Sequence, residues 1–235
     1  MCGRTTLTCS PDELREAFDL EVVPPMRPRY NVAPTQPIAI VRRPRVLELV
    51  RWGLVPPFAH EPGEGGVHVN ARAETVHTSP TFRHAFAKQR CLVVVDGFYE
   101  WKPDGTLTVG PRGRRRKPHK QPFHLRRADG KPFALAGIWE RWIAPDGEVV
   151  ESCAIVTCDA RGVVAELHDR MPVLLEKGSY ATWLHGTPDA ARALLAPRDP
   201  QLVAVPVGTA VNDARFDDPR CLEPDDGPAQ RTLLR

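Results

Sequence analysis

Proline constrains this chain more than any other residue. Twenty-five prolines punctuate its 235 positions. Each fixes its own φ, removes a backbone donor and biases the preceding residue away from helix. The chain is therefore predicted to build short elements joined by many turns. Between the prolines the signals agree with that reading. Thr5–Thr8 reads as a short strand. Ser10 opens a helix through a capping box, with Pro11 at the first helical position and Glu13 three residues on. Pro24, Pro25 and Pro28 mark an extended connection. Ile38–Val41 and Val46–Trp52 read as strands about a turn at Arg43-Pro44. Pro56, Pro57, Pro62, Gly63, Gly65 and Gly66 exclude regular structure. Cys91–Val95 and Ser152–Thr157 are continuous apolar runs, the mark of strands buried on both faces.

Further on, Pro80–Lys88 reads as a helix. Phe123–Leu125 and Phe133–Trp139 read as hairpin strands around Asp129-Gly130, and Trp142 as the start of the next connection, with a tight turn at Asp146-Gly147. Arg161–Leu167 reads as a short helix delivering His168, and Met171–Leu175 as a strand. Ser179–Leu184 and Pro188–Leu195 read as short helices and Val203–Val207 as a last strand. After Val211 the pattern fades into an acidic, proline-rich tail. Strands outnumber helices without strict βαβ alternation. The expectation is a single α+β domain, a mixed barrel-like sheet with short flanking helices. It spans residues 1–224, with a basic insert at about 102–121 and a flexible tail at 225–235.

Net charge is only +3, but it is unevenly distributed. Six Lys/Arg lie between Arg112 and Lys120, a run that reads either as a solvated face or as a nonspecific DNA contact. No apolar run is long enough to span a bilayer and no signal-peptide pattern follows Met1, so no membrane partner is expected. The six cysteines form no C-x-x-C pair, and reduced thiols in a cytoplasm are the simplest reading, nucleoid-associated in a bacterium. His68, His77, His84, Cys153 and Cys158 lack metal-ligand spacing. No glycine-rich phosphate loop follows a strand, so neither metal nor small-molecule cofactor is expected.

The chemistry concentrates at Met1-Cys2-Gly3-Arg4. Removal of Met1, which a small second residue permits, would leave Cys2 with an α-amine and a thiol on adjacent carbons. Their reference pKa values, about 7.7–8.0 and about 8.5, give both nucleophilic forms near neutrality. A 1,2-aminothiol condenses with an aldehyde to an imine and then a thiazolidine. The same cysteine could instead attack an amide carbonyl with its own amine as base.

Five more stretches stand out: Arg29-Tyr30-Asn31-Val32-Ala33-Pro34, Arg51-Trp52-Gly53-Leu54-Val55-Pro56, Asn70-Ala71-Arg72-Ala73-Glu74, Asp96-Gly97-Phe98-Tyr99-Glu100-Trp101 and His168-Asp169-Arg170-Met171-Pro172. Taken singly, His168 reads as a cap or core residue, Glu100 as a structural acid and Asn70 as a turn residue. Together with the N-terminal four, in this order, they resemble the SOS response-associated peptidase (SRAP) family of abasic-site processing proteins, over residue 1 to about Pro224. The resemblance implies that Cys2 crosslinks covalently to abasic sites in single-stranded DNA, with Asn70, Glu100 and His168 as catalytic companions. Associated lyase, crosslink-reversal and peptidase activities would use the same groups. It further implies DNA contacts from Asn31, Pro34, Phe58 and Thr157, while Arg4, Arg72 and Arg170, beside the chemical positions, read either as cations for the flanking phosphates or as surface ion pairs. Phe58 stands where the family often places Trp as a wedge against stacked bases. The chemistry needs groups of these kinds. Opening the hemiacetal and condensing the aldehyde both require proton transfer, which suits His168 and a Glu100 desolvated by Phe98, Tyr99 and Trp101. The expected partner is single-stranded DNA containing abasic sites, engaged by a monomer.

Two other readings fit parts of the chain. Glutaminase-type N-terminal-nucleophile amidohydrolases can also begin Met-Cys-Gly, but they usually continue with an apolar residue rather than Arg4. A non-catalytic single-strand binder would use the basic run and Phe58 alone.

Overall fold

The computed structural model describes residues 2–103 and 120–225. Most of the basic insert and the last ten residues lie outside the described residues, so the expectations placed on them do too.

A short strand, β1 (Thr5–Leu7), leads into helix α1 (Pro11–Phe18), whose capping box forms as read: Ser10 accepts from the Glu13 amide and Glu13 accepts from the Ser10 amide. Then follow β2 (Arg29–Val32), β3 (Pro37–Arg43), β4 (Val46–Trp52), β5 (Asn70–Arg72), helix α2 (Arg83–Lys88), β6 (Arg90–Val95), β7 (Gly97–Pro103), β8 (Lys120–Arg127), β9 (Phe133–Ile143) and β10 (Val149–Asp159). The chain finishes with β11 (Arg170–Pro172), β12 (Leu174–Leu175), helices α3 (Tyr180–His185) and α4 (Pro188–Ala193), and β13 (Leu202–Pro206). Short 3₁₀ turns cover Gly162–Glu166, Lys177–Ser179, Thr209–Asn212 and Pro219–Leu222. Among the described residues no helix is long and apolar enough to cross a membrane.

Five strands close a barrel. β4 pairs β3, β3 pairs β6, β6 pairs β9 and β9 pairs β10, all antiparallel; β10 then returns to β4 in parallel through Ser152↔Arg51 and Cys153↔Trp52. The apolar runs explain this closure. All six residues of β6 are buried, as are Phe133–Ile138 of β9 and Ser152–Cys158 of β10. Closure brings strands so near at Gly137 that a Cβ there would stand 2.6 Å from Val93 Cγ2 and 2.8 Å from Cys91 Sγ. A side chain at this position would have to open the barrel.

The second sheet is open, antiparallel and ordered β13-β8-β7-β1-β2. The chain steps from barrel to sheet at Asp96, between β6 and β7. That carboxylate pins the N-terminal strand: Oδ1 accepts from Thr6 Oγ1 at 2.5 Å, and Oδ2 accepts from the Thr8 hydroxyl at 2.7 Å and from the Thr8 and Cys9 amides. His124 Nε2 lies 3.1 Å from the same Thr6 hydroxyl, and burial pulls its pKa down to about 4, so the ring is neutral. A Cβ on Gly97 would fall 2.1 Å from that nitrogen, so only glycine fits.

Several expectations are corrected. β8 and β9 are not a hairpin: β8 pairs β7 and β13, whereas β9 pairs β6, β10 and β12. The turn at Asp129-Gly130 carries the chain from one sheet to the other. Trp142 lies within β9, not after it. Gly162–Glu166 is a 3₁₀ turn rather than an α-helix. The strand expected at Met171–Leu175 is two, because β11 pairs β10 while β12 pairs β9. The segment after Val211 is a packed clasp up to Asp225, not a patternless tail. Val211 and Cys221 are fully buried with Tyr99 and Val207 in a small second core.

Candidate active site

Gly3 and Arg4 enter β1 alongside β7. The register Thr5↔Phe98 and the bond from the Tyr99 amide to the Arg4 carbonyl (3.0 Å) place Glu100 of β7 beside them. Asn70 arrives from the barrel side. It begins β5, which lies parallel to β10 with Ile155↔Asn70 and Thr157↔Arg72. Its Nδ2 donates to the Cys2 carbonyl at 2.8 Å. Its Oδ1 is buried with no hydrogen-bond partner among the described residues, which leaves an acceptor available for a donor on a ligand. His168 is delivered by the 3₁₀ turn, its amide bonded to the Val164 carbonyl at 2.9 Å.

An open cavity of about 410 Å³ results, lined by Gly3, Arg4, Glu100, Trp101, Lys120, His168 and Asn212. Cys2 is fully buried next to its lining. Burial, with the Glu100 charge as the next cause, pushes the Cys2 thiol far above the usual range, so the sulfur is held as a thiol. Burial likewise pushes the Glu100 carboxyl up to about 7; Asp169 reinforces the rise and Lys120 opposes it. Burial pulls the His168 ring down, against the opposing charge of Asp169. The Arg170 amide donates to His168 Nδ1 at 2.9 Å, which puts the proton of the neutral ring on Nε2. Asp169 Oδ1 also lies 2.7 Å from Nδ1, but the exposed carboxylate pairs with the ring only when that nitrogen carries a proton. The site thus holds a thiol, a carboxyl poised near neutrality and a neutral imidazole.

The sequence of residues 1–214 matches the profile of the SOS response-associated peptidase (SRAP) family. The chain belongs to the SRAP family. It is 34% identical over 233 residues to the abasic site processing protein YoqW of Bacillus subtilis (strain 168), covering 95% of this chain and 99% of that one. It is 32% identical over 197 residues to the Escherichia coli (strain K12) abasic site processing protein YedK, covering 78% and 79%. The Xenopus tropicalis abasic site processing protein HMCES is 28% identical over 275 residues, covering 94% and 78%. Among solved structures, a Bacteroides thetaiotaomicron protein superposes with a TM-score of 0.82 at 21% identity, over 95% of this chain and all of that one, which speaks to the fold. A phage-related protein of Bordetella bronchiseptica gives a TM-score of 0.70 at 28% identity, again over 95% and 100%.

Of the SRAP-type positions read from the sequence, Cys2 and Asn70 meet directly, and Glu100, His168 and Arg4 share the cavity. The other positions divide. Arg72 is exposed on β5 and Phe58 is 61% exposed in the loop between β4 and β5, both open to a ligand. Pro34 is half-buried between β2 and β3. Asn31, by contrast, is fully buried: Oδ1 accepts from Arg4, and Nδ2 donates to the carbonyls of Val211, Asp213 and Phe216. Thr157 is also fully buried, its hydroxyl on the Ala71 carbonyl. Arg170 is spent on Glu74 (2.7 and 2.9 Å), Asp159 (2.7 Å) and the Thr157 carbonyl (2.7 Å). These three are engaged within the protein.

Three lining residues escape the sequence reading. Trp101 presents itself there only as a desolvating neighbour of Glu100, yet its ring lines the cavity and its Nε1 donates to Asn212 at 2.7 Å. Asn212 belongs to a stretch without a pattern. Lys120 counts only as the end of the basic run; the one hint of more is its place at the start of an apolar strand.

Proposed function

We propose that this protein captures abasic sites in single-stranded DNA as a monomer, through a thiazolidine formed by Cys2 once Met1 is removed. The observation that carries the reading is the junction at the N-terminus: the Asn70 amide grips the Cys2 carbonyl where Glu100 and His168 line the adjoining cavity. The names of the curated relatives support the substrate class.

The His168 Nε2–H hydrogen-bonds to the sugar ring oxygen while a water carries the proton of the hemiacetal hydroxyl to that oxygen, so the ring C–O bond breaks, the aldehyde forms and the imidazole stays neutral. Cys2 is a thiol, so nitrogen attacks first. The α-amine adds to the aldehyde carbon; the carbinolamine loses water to give the imine. Glu100, poised near neutrality, takes the ammonium proton and returns it to the departing hydroxyl. Sγ then adds to the imine carbon as its proton passes to nitrogen. One water is lost overall. Because Asn70 fixes the carbonyl of the same residue, amine and thiol are held to one approach geometry. Crosslink reversal, strand cleavage and removal of residues preceding Cys2 would draw on the same Cys2 and Glu100.

The test mixes wild type, Cys2→Ala and Cys2→Ser with abasic single-stranded and double-stranded DNA on a denaturing gel. Wild type gives a denaturation-resistant adduct on the single strand alone, Cys2→Ser at most a labile imine, and His168→Ala a slower adduct. No wild-type adduct, or an equally stable one with Cys2→Ala, overturns the reading.

A further inference from the structure

An abasic sugar seated in the cavity brings its flanking phosphates with it, and each needs a cation. The residues that the sequence nominates for that work are largely committed. Both terminal nitrogens of Arg170 are bound to Glu74, with Asp159 and the Thr157 carbonyl completing their set. Arg4 lines the cavity, but its Nη1 serves Asn31 (2.9 Å) and the Val211 carbonyl (2.7 Å). Asn31 and Thr157 are fully buried.

Arg72 is exposed but lies outside the cavity lining, and Lys120 differs from it and from the committed residues. It opens β8, paired with Pro103 of β7, three residues along that strand from Glu100. It lines the cavity with Glu100 and His168, is exposed, and its ammonium has no hydrogen bond or ion pair among the described residues. An ammonium is a compact charge with three donors on a flexible stem, suited to meeting a phosphate oxygen without a fixed fork geometry. We propose that Lys120 binds a phosphate of the DNA backbone beside the abasic sugar, and so seats the lesion against Glu100 and His168. This rests on the abasic-site reading of the same cavity.

The probe is a single-stranded oligonucleotide carrying a tetrahydrofuran abasic analogue. It lacks the aldehyde, so no adduct forms and the result does not depend on the Cys2 chemistry. Binding by the full-length protein is measured between about 50 and 200 mM salt for wild type, Lys120→Met, Lys120→Arg and Lys131→Met, the last removing an exposed charge from a turn outside the cavity lining. One phosphate contact on a single strand contributes about 0.7 to the slope of log affinity against log salt. Lys120→Met should lower the slope by about that amount, so wild type loses roughly 2.5-fold more affinity across the range. Lys120→Arg and Lys131→Met should keep the wild-type slope. On true abasic DNA, Lys120→Met should slow adduct formation most at limiting DNA. An unchanged slope in Lys120→Met, an equal fall in Lys131→Met, or no measurable wild-type affinity for the probe overturns the proposal. Absence of a wild-type adduct on true abasic DNA would instead sink the capture chemistry.

Discussion

The closed barrel and the open sheet hold their shapes by different means. The barrel strands β3, β4, β6, β9 and β10 bury mostly aliphatic groups, and their pairing is long and regular. The open sheet buries polar ones: Thr6, Asn31, Glu100 and His124 within its strands, and Asp96 at its entry. It is fastened by side-chain hydrogen bonds that reach across the chain, from Asn31 to Val211, Asp213 and Phe216, and from Asp217 to the Tyr30 and Asn31 amides. Packing makes a scaffold that tolerates no slack. Hydrogen-bonded tethers can place a carboxyl and a backbone terminus at one point, at the cost of burying polar atoms.

The largest expected effect tests the barrel. Leu135 is fully buried on β9, opposite Val93 and Leu174. Leu135→Ala should cost about 2–5 kcal/mol in urea unfolding. The folded fraction should form adducts at the wild-type rate. A large rate loss would mean that barrel packing, not the tethers, sets the site.

Next comes pH. Burial holds His124 at about 4, below its unfolded value of about 6.5. The unfolded chain therefore binds more protons in that window. Stability from His124 is fully present above about pH 6.5 and is lost as pH falls toward about 4, by roughly 2–4 kcal/mol. Glu100 has the opposite sign. Its carboxyl is raised to about 7, so its contribution is full below about pH 4.3 and lost as pH rises through about 7. Unfolding measured across about pH 4–8 should lose its acid limb in His124→Gln and its upper limb in Glu100→Gln. Two variants with the wild-type profile would refute this account of the sheet.

A smaller effect on stability sharpens the contrast most. Asn31→Ala takes the Nδ2 donor from three carbonyls, of which Val211 keeps Arg4, and takes an acceptor from Arg4, and should cost about 1–3 kcal/mol. Adduct formation at saturating DNA should nonetheless slow by roughly tenfold, because the N-terminus loses its lateral support. A variant destabilised but equally fast would confine Asn31 to holding the fold together.

The same division governs what is legible in the sequence. The capping box at Ser10, the whole of β4 and the core of β6 can be read because their signals are local: a cap at fixed spacing, or an apolar run. The α+β class and the mixed barrel follow from counting such runs. β2, β5 and β7 carry no such signal, because Asn31, Asn70 and Glu100 are polar residues whose partners lie tens to hundreds of positions away. The clasp after Val211 escapes for the same reason, since acids such as Asp217 look solvated until Arg29 and the β2 amides are beside them. Site residues are legible as motifs, but motif order cannot separate Glu100, which lines the cavity, from Asn31, which braces it. Lys120, without a motif, needs the structure.

Intact-mass spectrometry tests the central claim most directly. Purified wild type incubated with an abasic single-stranded oligonucleotide should lack Met1 and gain the oligonucleotide mass less one water, with the modification mapping to Cys2. A species that keeps Met1 and stays unmodified, or carries the oligonucleotide on an internal lysine, would contradict it.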